Sequence, residues 1–193
     1  MINYFRKKLS QWELYKEALH QKNKIQYHIV DTIEVIGVAL AMALLARHFV
    51  IQTSLVPTGS MIPTMQIQDR LFVNKFIYRF TPPHRGDIVV FNSPFKDGKD
   101  FVKRCIGLPG EKIEVKKGEI YINDRLLVFP GVNVQNDYSY FGPIIIPANS
   151  YFMMGDNRGN SLDSRYWGFV PRKDILGKAM FTFWPIRRMQ VLH

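Results

Sequence analysis

The sequence predicts a mainly β protein, an antiparallel β-sandwich or barrel preceded by one N-terminal transmembrane helix. Two observations carry this. Residues 35–46 are all apolar or glycine, and no other run of that length exists in the chain. After Thr64, short strand-like segments recur at roughly ten-residue spacing between turn signals, the pattern of antiparallel sheets. Strand–helix alternation, which would announce a parallel sheet, is missing. The chain has 193 residues, 47% hydrophobic and 13% aromatic, which suits one domain plus an anchor and excludes a disordered chain.

Residues 4–27 mix charged and aromatic side chains and read as a short amphipathic helix, an interfacial or solvated flank without chemistry. The apolar character runs over 33–51, broken by Glu34, Arg47 and His48. A spanning helix needs roughly 20 mainly apolar residues. These charges lie near the ends, where long side chains snorkel to headgroups. Asp31 and Glu34 at the entry have no evident purpose. A cleaved signal peptide fits poorly, because the run starts far from Met1 and lacks a small-residue cleavage site after it. Lys8, Lys16, Lys22 and Lys24 precede the span, whereas Arg70 is the sole basic residue in 51–70. The positive-inside rule then places the N-terminus in the cytoplasm and the chain beyond the span outside. The expected division is a flank at 1–32, a span at 33–51 and a β domain at 52–193. Its strands are expected at 70–76, 87–91, 101–106, 112–115, 119–122, 125–128, 151–154 and 179–183.

The net charge of +10 calls for an anionic partner. The basic residues form no dense block and match no nucleic-acid-binding motif, so anionic membrane lipids are favoured over nucleic acid. The single cysteine, Cys105, excludes an intrachain disulfide. Metal chemistry has no His-x-x-x-His or Cys-x-x-Cys pair to stand on, and no cofactor motif is present.

Ser60 sits in the turn Pro57-Thr58-Gly59-Ser60-Met61-Ile62-Pro63-Thr64, close after the apolar run. A serine hydroxyl is a weak nucleophile until a base takes its proton. None of the five histidines is well placed for that. His20 and His28 precede the span, His48 lies at its edge, His84 is in a Pro-Pro-His-Arg turn, and His193 ends the chain. Lysine remains. In residues 101–106 alternation puts Lys103 on one face with Phe101 and Cys105. A buried lysine loses its charge preference and becomes a base near neutral pH. The pattern alone leaves a snorkelling lysine at a sheet edge as the simpler reading. The polar stretch Gly155-Asp156-Asn157-Arg158 to Gly168 is either a solvated hairpin loop or the support of a site.

Together these residues resemble bacterial signal peptidase I, also called leader peptidase. The resemblance rests on the serine motif, on Gly86-Asp87-Ile88-Val89-Val90-Phe91, on Val102 through Gly110, and on the polar loop, all in the family's order. It implies a Ser60–Lys103 dyad, with Ser60 as nucleophile and Lys103 as general base. It further implies an oxyanion hole from the Thr58 hydroxyl and the Ser60 N–H. Gly59 would let the substrate backbone approach, and Ser161 would orient the lysine. Asp163 and Arg165 would form a supporting ion pair, with Asp156 structural. The implied activity is cleavage of preprotein signal peptides after small residues of the Ala-x-Ala type, by a monomer without metal or cofactor. The substrate strand would add to a sheet edge, and exposed Phe, Trp and Met would let the domain dip into the membrane interface. Two positions depart from the pattern: Gly159 stands where Asp is common, and Met65 where Leu is frequent. A large second β subdomain has no room between Lys103 and Gly155. A LexA-type self-cleaving repressor would need a DNA-binding domain and an internal Ala-Gly or Cys-Gly site, which the chain lacks. A non-catalytic membrane-anchored β scaffold is the other class.

Overall fold

The structure is a computed structural model that describes residues 2–49 and 51–192; Met1, Val50 and His193 lie outside them. The chain divides into two compact units, residues 1–48 and 49–193.

The first unit is a helical pair. Helix α1 covers Ile2–Lys22 and helix α2 covers Lys24–Phe49. Asn23 separates them. Its Oδ1 accepts from the N–H groups of Ile25 and Gln26 at 3.1 and 3.3 Å, an N-cap that starts α2 by satisfying its first donors. The expected helix to residue 27 is therefore broken at this cap. The two acids at the span entry gain partners here. Lys16 Nζ on α1 donates to Glu34 at 2.7 Å and to Asp31 at 3.4 Å, and Trp12 Nε1 donates to Glu34 at 3.1 Å. Within α2, residues Lys24–Leu44 are long and apolar enough to cross a membrane, with mean hydropathy 1.6 and none of that window buried. The apolar reading of 33–51 differs at both ends: the helix begins earlier, and Ile51 opens the first strand.

The second unit is built of two antiparallel sheets. The larger contains β1 (Ile51–Leu55), β2 (Arg70–Asn74), β3 (Ile88–Asn92) and β4 (Asp100–Gly107). The smaller holds β5 (Lys112–Lys116), β6 (Glu119–Ile122), β7 (Arg125–Leu127) and β8 (Tyr140–Ile145), in the order β7-β6-β5-β8. The chain then returns to the larger sheet with β9 (Ser150–Met154), a short α3 (Ser164–Trp167), β10 (Val170–Pro171), β11 (Ile175–Trp184) and β12 (Gln190–Val191). Its order is β1-β2-β11-β3-β4-β9-β10, with β12 beside β11.

Among the described residues the larger sheet does not close into a barrel, yet it curls. Gln52 Nε2 on β1 donates to Asp100 Oδ2 on β4 at 2.8 Å, although three strands separate them in the sheet order. Three apolar clusters fill the interior. One gathers Met61, Met65, Leu71, Val73, Val90 and Val102. A second gathers Val89, Phe91, Cys105, Tyr151 and Met153, and a third packs the small sheet through Ile113, Ile120 and Ile146. Met65, one of the two departures, is simply a fully buried core residue. The expected strands all form, with ends shifted by at most four residues.

Candidate active site

Strand β4 decides the character of Lys103. Its neighbour β3 aligns Val89 with Lys103 and Val90 with Val102, and apolar clusters contact both of its faces. Residues 102–107 are buried without a break, so the alternation seen in the sequence separates two covered faces rather than an inside from an outside. Lys103 is 4% exposed and does not snorkel. Burial lowers its pKa from 10.5 to about 8; Asp163 pulls it back up, Arg165 pushes it down and Asp156 raises it.

The Lys103 Nζ lies 2.6 Å from Ser60 Oγ. Ser60 is the middle residue of a single 3-10 turn, Gly59–Met61, which buries Met61 in the core and leaves Ser60 half-exposed. Thr58, just before the turn, is extended, and its Oγ1 donates to Ser60 Oγ at 3.3 Å. Gly59 does not have a positive φ, and a Cβ there would lie 3.0 Å from the Ile62 Cδ1, the movable end of a side chain.

The polar loop holds this turn in place. The Asn157 N–H donates to the Ser60 carbonyl at 3.0 Å, and Asn157 Nδ2 to the Gly59 carbonyl at 3.1 Å. Thr64 Oγ1 donates to Asp156 Oδ2 at 2.6 Å, while Arg104 grips the same carboxylate with Nε at 2.8 Å and Nη2 at 2.6 Å. A side chain at Gly155 would collide with Ser161 Oγ and with the Ser60 carbonyl, so this glycine is where loop and turn touch. Asp163 accepts the Gly155 N–H at 3.1 Å and pairs with Arg165 at 2.8 Å.

The structure thus brings Ser60, Lys103, Thr58, Ser161, Asp163 and Arg165 into one neighbourhood. Ser161 differs in detail from its implied part: its Oγ is buried beside Gly155 and has no hydrogen-bond partner. A buried unmade hydrogen bond costs about 1–3 kcal/mol. Sequence reasoning missed Asn157, whose contacts depend on how two distant loops meet.

A hydroxyl in contact with a buried, partly neutral amine, and flanked by a second hydroxyl, is equipped for nucleophilic attack on an acyl group. Comparison with known proteins gives the family. Residues 29–184 match the model of the family described as signal peptidase, peptidase S26. The chain belongs to this family. It is 42% identical over 169 residues to a signal peptidase I of Leptolyngbya laminosa, covering 83% of this chain and 82% of that one. It is 44% identical over 161 residues to a probable signal peptidase I-2 of Synechocystis sp., covering 80% and 72%. Signal peptidase I S of Bacillus subtilis is 38% identical over 173 residues, covering 84% and 92%. A crystal structure of a signal peptidase I from Enterococcus faecalis aligns with a TM-score of 0.44 and 35% identity, covering 51% of this chain and 97% of that one. As a signal peptidase I family member the chain is a serine endopeptidase, and its antiparallel β unit carries the residues described above.

Proposed function

We propose that the chain cleaves N-terminal signal peptides from preproteins after small residues of the Ala-x-Ala type, using Ser60 and Lys103 as a dyad. The observation that carries this is the 2.6 Å contact between Ser60 Oγ and a lysine amine whose pKa is lowered to about 8. At pH 7 about one such amine in ten is neutral. The neutral amine takes the Ser60 proton as Oγ attacks the scissile carbonyl. Negative charge gathers on the carbonyl oxygen, where the Ser60 N–H and the Thr58 hydroxyl donate to it. Lys103, now an ammonium, returns its proton to the leaving amine, and the peptide bond breaks. A water, deprotonated by the same amine, then hydrolyses the acyl-enzyme and regenerates Ser60.

The substrate strand would pair with the half of β4 that β9 leaves unpaired. Among the described residues β9 pairs with β4 from Arg104 onward, so Asp100 to Lys103, beside the dyad, pair with β3 alone. Strand addition supplies main-chain hydrogen bonds, and pockets then read alternate side chains. The α2 helix is read as a single span with its N-terminus cytoplasmic, the catalytic unit on the extracytoplasmic face of the cytoplasmic membrane, and anionic lipids offsetting the basic flank. From Ile51 to Ser60 the chain can reach at most about 30 Å, so the nucleophile stays near the surface where a signal peptide ends. Exposed Phe76, Phe80, Trp184, Ile186 and Met189 favour contact with that surface, and the chain acts as a monomer.

The test is cleavage of a preprotein by the purified chain in lipid vesicles, beside Ser60→Ala and Lys103→Ala, with N-terminal sequencing of the product. Processing that survives either substitution, or a cut that does not follow small residues, would sink the proposal.

A further inference from the structure

The connection between β7 and β8 of the small sheet meets the polar loop at a buried ion pair. Arg165 Nη1 donates to Asp137 Oδ2 at 2.8 Å, and both side chains are almost fully enclosed, at 3% and 2% exposure. Asp137 lies in the connection between β7 and β8. Ser139 fastens it there through N–H and Oγ bonds to Asp137 Oδ1 at 3.1 and 2.6 Å, and Ser139 Oγ also accepts from Arg165 Nη1 at 3.0 Å. The β5–β6 turn closes over it: Gly118 N–H donates to the Ser139 carbonyl at 3.1 Å, and a Cβ on Gly118 would meet the Asp137 carbonyl at 2.5 Å.

The same connection also runs against the polar loop through its backbone. The Asn133 N–H donates to the Asp156 carbonyl, and the Arg158 N–H donates to the Asn133 carbonyl, each at 2.9 Å. Gly159 marks the tightest approach, because a Cβ there would lie 2.5 Å from the Gln135 carbonyl oxygen and 2.9 Å from that of Asn136. The departure at Gly159 is therefore the space into which this connection fits, and Asp137 brings a carboxylate to the loop from outside it.

We propose that Asp137 is a positioning residue for the dyad, fixing Arg165 and through it the loop that holds the Ser60 turn and sets the charges around Lys103. The chain of contacts is continuous. Asp137 and Asp163 hold opposite ends of the Arg165 guanidinium, Arg165 Nη2 also donates to the Arg158 carbonyl at 2.7 Å, and Asp163 holds the Gly155 N–H where the loop meets the Ser60 turn. A buried carboxylate held by an arginine is expensive to leave half-paired, so removing one member shifts the others. The charged groups around Lys103 are Asp163, Arg165 and Asp156, the last of them held by Arg104. Neutralising Asp137 leaves the Arg165 charge balanced by Asp163 alone. The surroundings of Lys103 become more positive, and its ammonium form is disfavoured further.

The inference rests on the dyad reading, and the experiment separates the two. Full-length Asp137→Asn is compared with wild type and Ser60→Ala on a signal-peptide cleavage-site peptide, with thermal unfolding measured on each. The expected result is kcat lowered about tenfold or more with KM within about twofold. The acid limb of the kcat/KM profile moves to lower pH, a displacement that general loss of fold would not produce. Where Asp137→Asn fails to fold, Ser139→Ala removes the bridging hydroxyl and gives the same changes in smaller measure. Wild-type kcat and an unmoved acid limb overturn the inference, as does a loss of rate that matches the loss of folded protein. An active Ser60→Ala overturns the dyad reading instead.

Discussion

At the residue scale, the fold makes the charge of Lys103 costly, which is what its proposed part as base requires. Its pKa is lowered from 10.5 to about 8, chiefly by burial. The proposed base must be neutral, so kcat/KM is expected to rise with pH, reach half its plateau near pH 8 and level off above about pH 9, as a pH–rate profile would show. The same shift bears on stability. The folded state binds the Lys103 proton more weakly than the unfolded state, so the penalty is fully present below pH 8 and fades as pH rises toward 10.5. The gap corresponds to about 3 kcal/mol. Lys103→Met is therefore expected to be inactive yet more stable by about 2 kcal/mol at pH 6.5, after about 1 kcal/mol for the lost Ser60 hydrogen bond. Urea unfolding at pH 6.5 and 10 checks both the gain and its disappearance. Thr58 gives a second prediction. Thr58→Val removes one donor to the developing oxyanion and is expected to lower kcat about a hundredfold with little change in KM, while Thr58→Ser stays near wild type. Steady-state kinetics on one peptide decide it. The turn made Ser60 visible in the sequence, Thr58 gained its part only from the family resemblance, and the pattern alone left Lys103 between two readings. Alternation shows which side of a strand a residue takes, not whether that side is covered.

At the element scale, the strands with alternating or continuous β-branched and aromatic residues were legible. Those carrying breaker residues were not. Strand β8 contains Gly142 and Pro143 and reads as a turn, yet it lies at an edge of the small sheet, where proline costs no ladder bond on the open side. Strand β1 was hidden because its first residue continues the apolar run, and β10 and β12 have two residues each. The polar loop was legible as a candidate support, but its pairing was not, since Arg104 and Asp156 meet only when β4 and β9 lie side by side. That pair carries the next prediction. Arg104 and Asp156 are 8% and 0% exposed at their side chains and joined by two hydrogen bonds. Asp156→Ala removes the carboxylate from a buried guanidinium and from Thr64, and is expected to cost about 3–5 kcal/mol. Chemical denaturation measures this; a loss below about 1 kcal/mol would contradict the place assigned to the pair.

At the scale of the whole molecule, the helical unit and the β unit answer different needs, and the cysteine content makes their arrangement across a membrane testable. Lys16 and Trp12 engage Asp31 and Glu34, so the acids that looked misplaced at the span entry belong to the contact between α1 and α2. The uninterrupted apolar run then starts after Glu34, and the proposed orientation places the basic flank before it on the cytoplasmic side. Cys105 is fully buried, and burial pushes its thiol up to about 12, so it reacts poorly with maleimides in the folded protein. Single cysteines introduced at exposed sites therefore report against a silent background. Gln11 lies exposed on α1, and Val128, just past β7, is 71% exposed. In intact cells stripped of their wall, a membrane-impermeant maleimide is expected to label Val128→Cys at once and Gln11→Cys only after the membrane is opened. Labelling of Gln11→Cys from outside would reverse the orientation, and with it the argument that Ser60 stands where signal peptides emerge. Equal labelling of both without permeabilisation would remove the span itself.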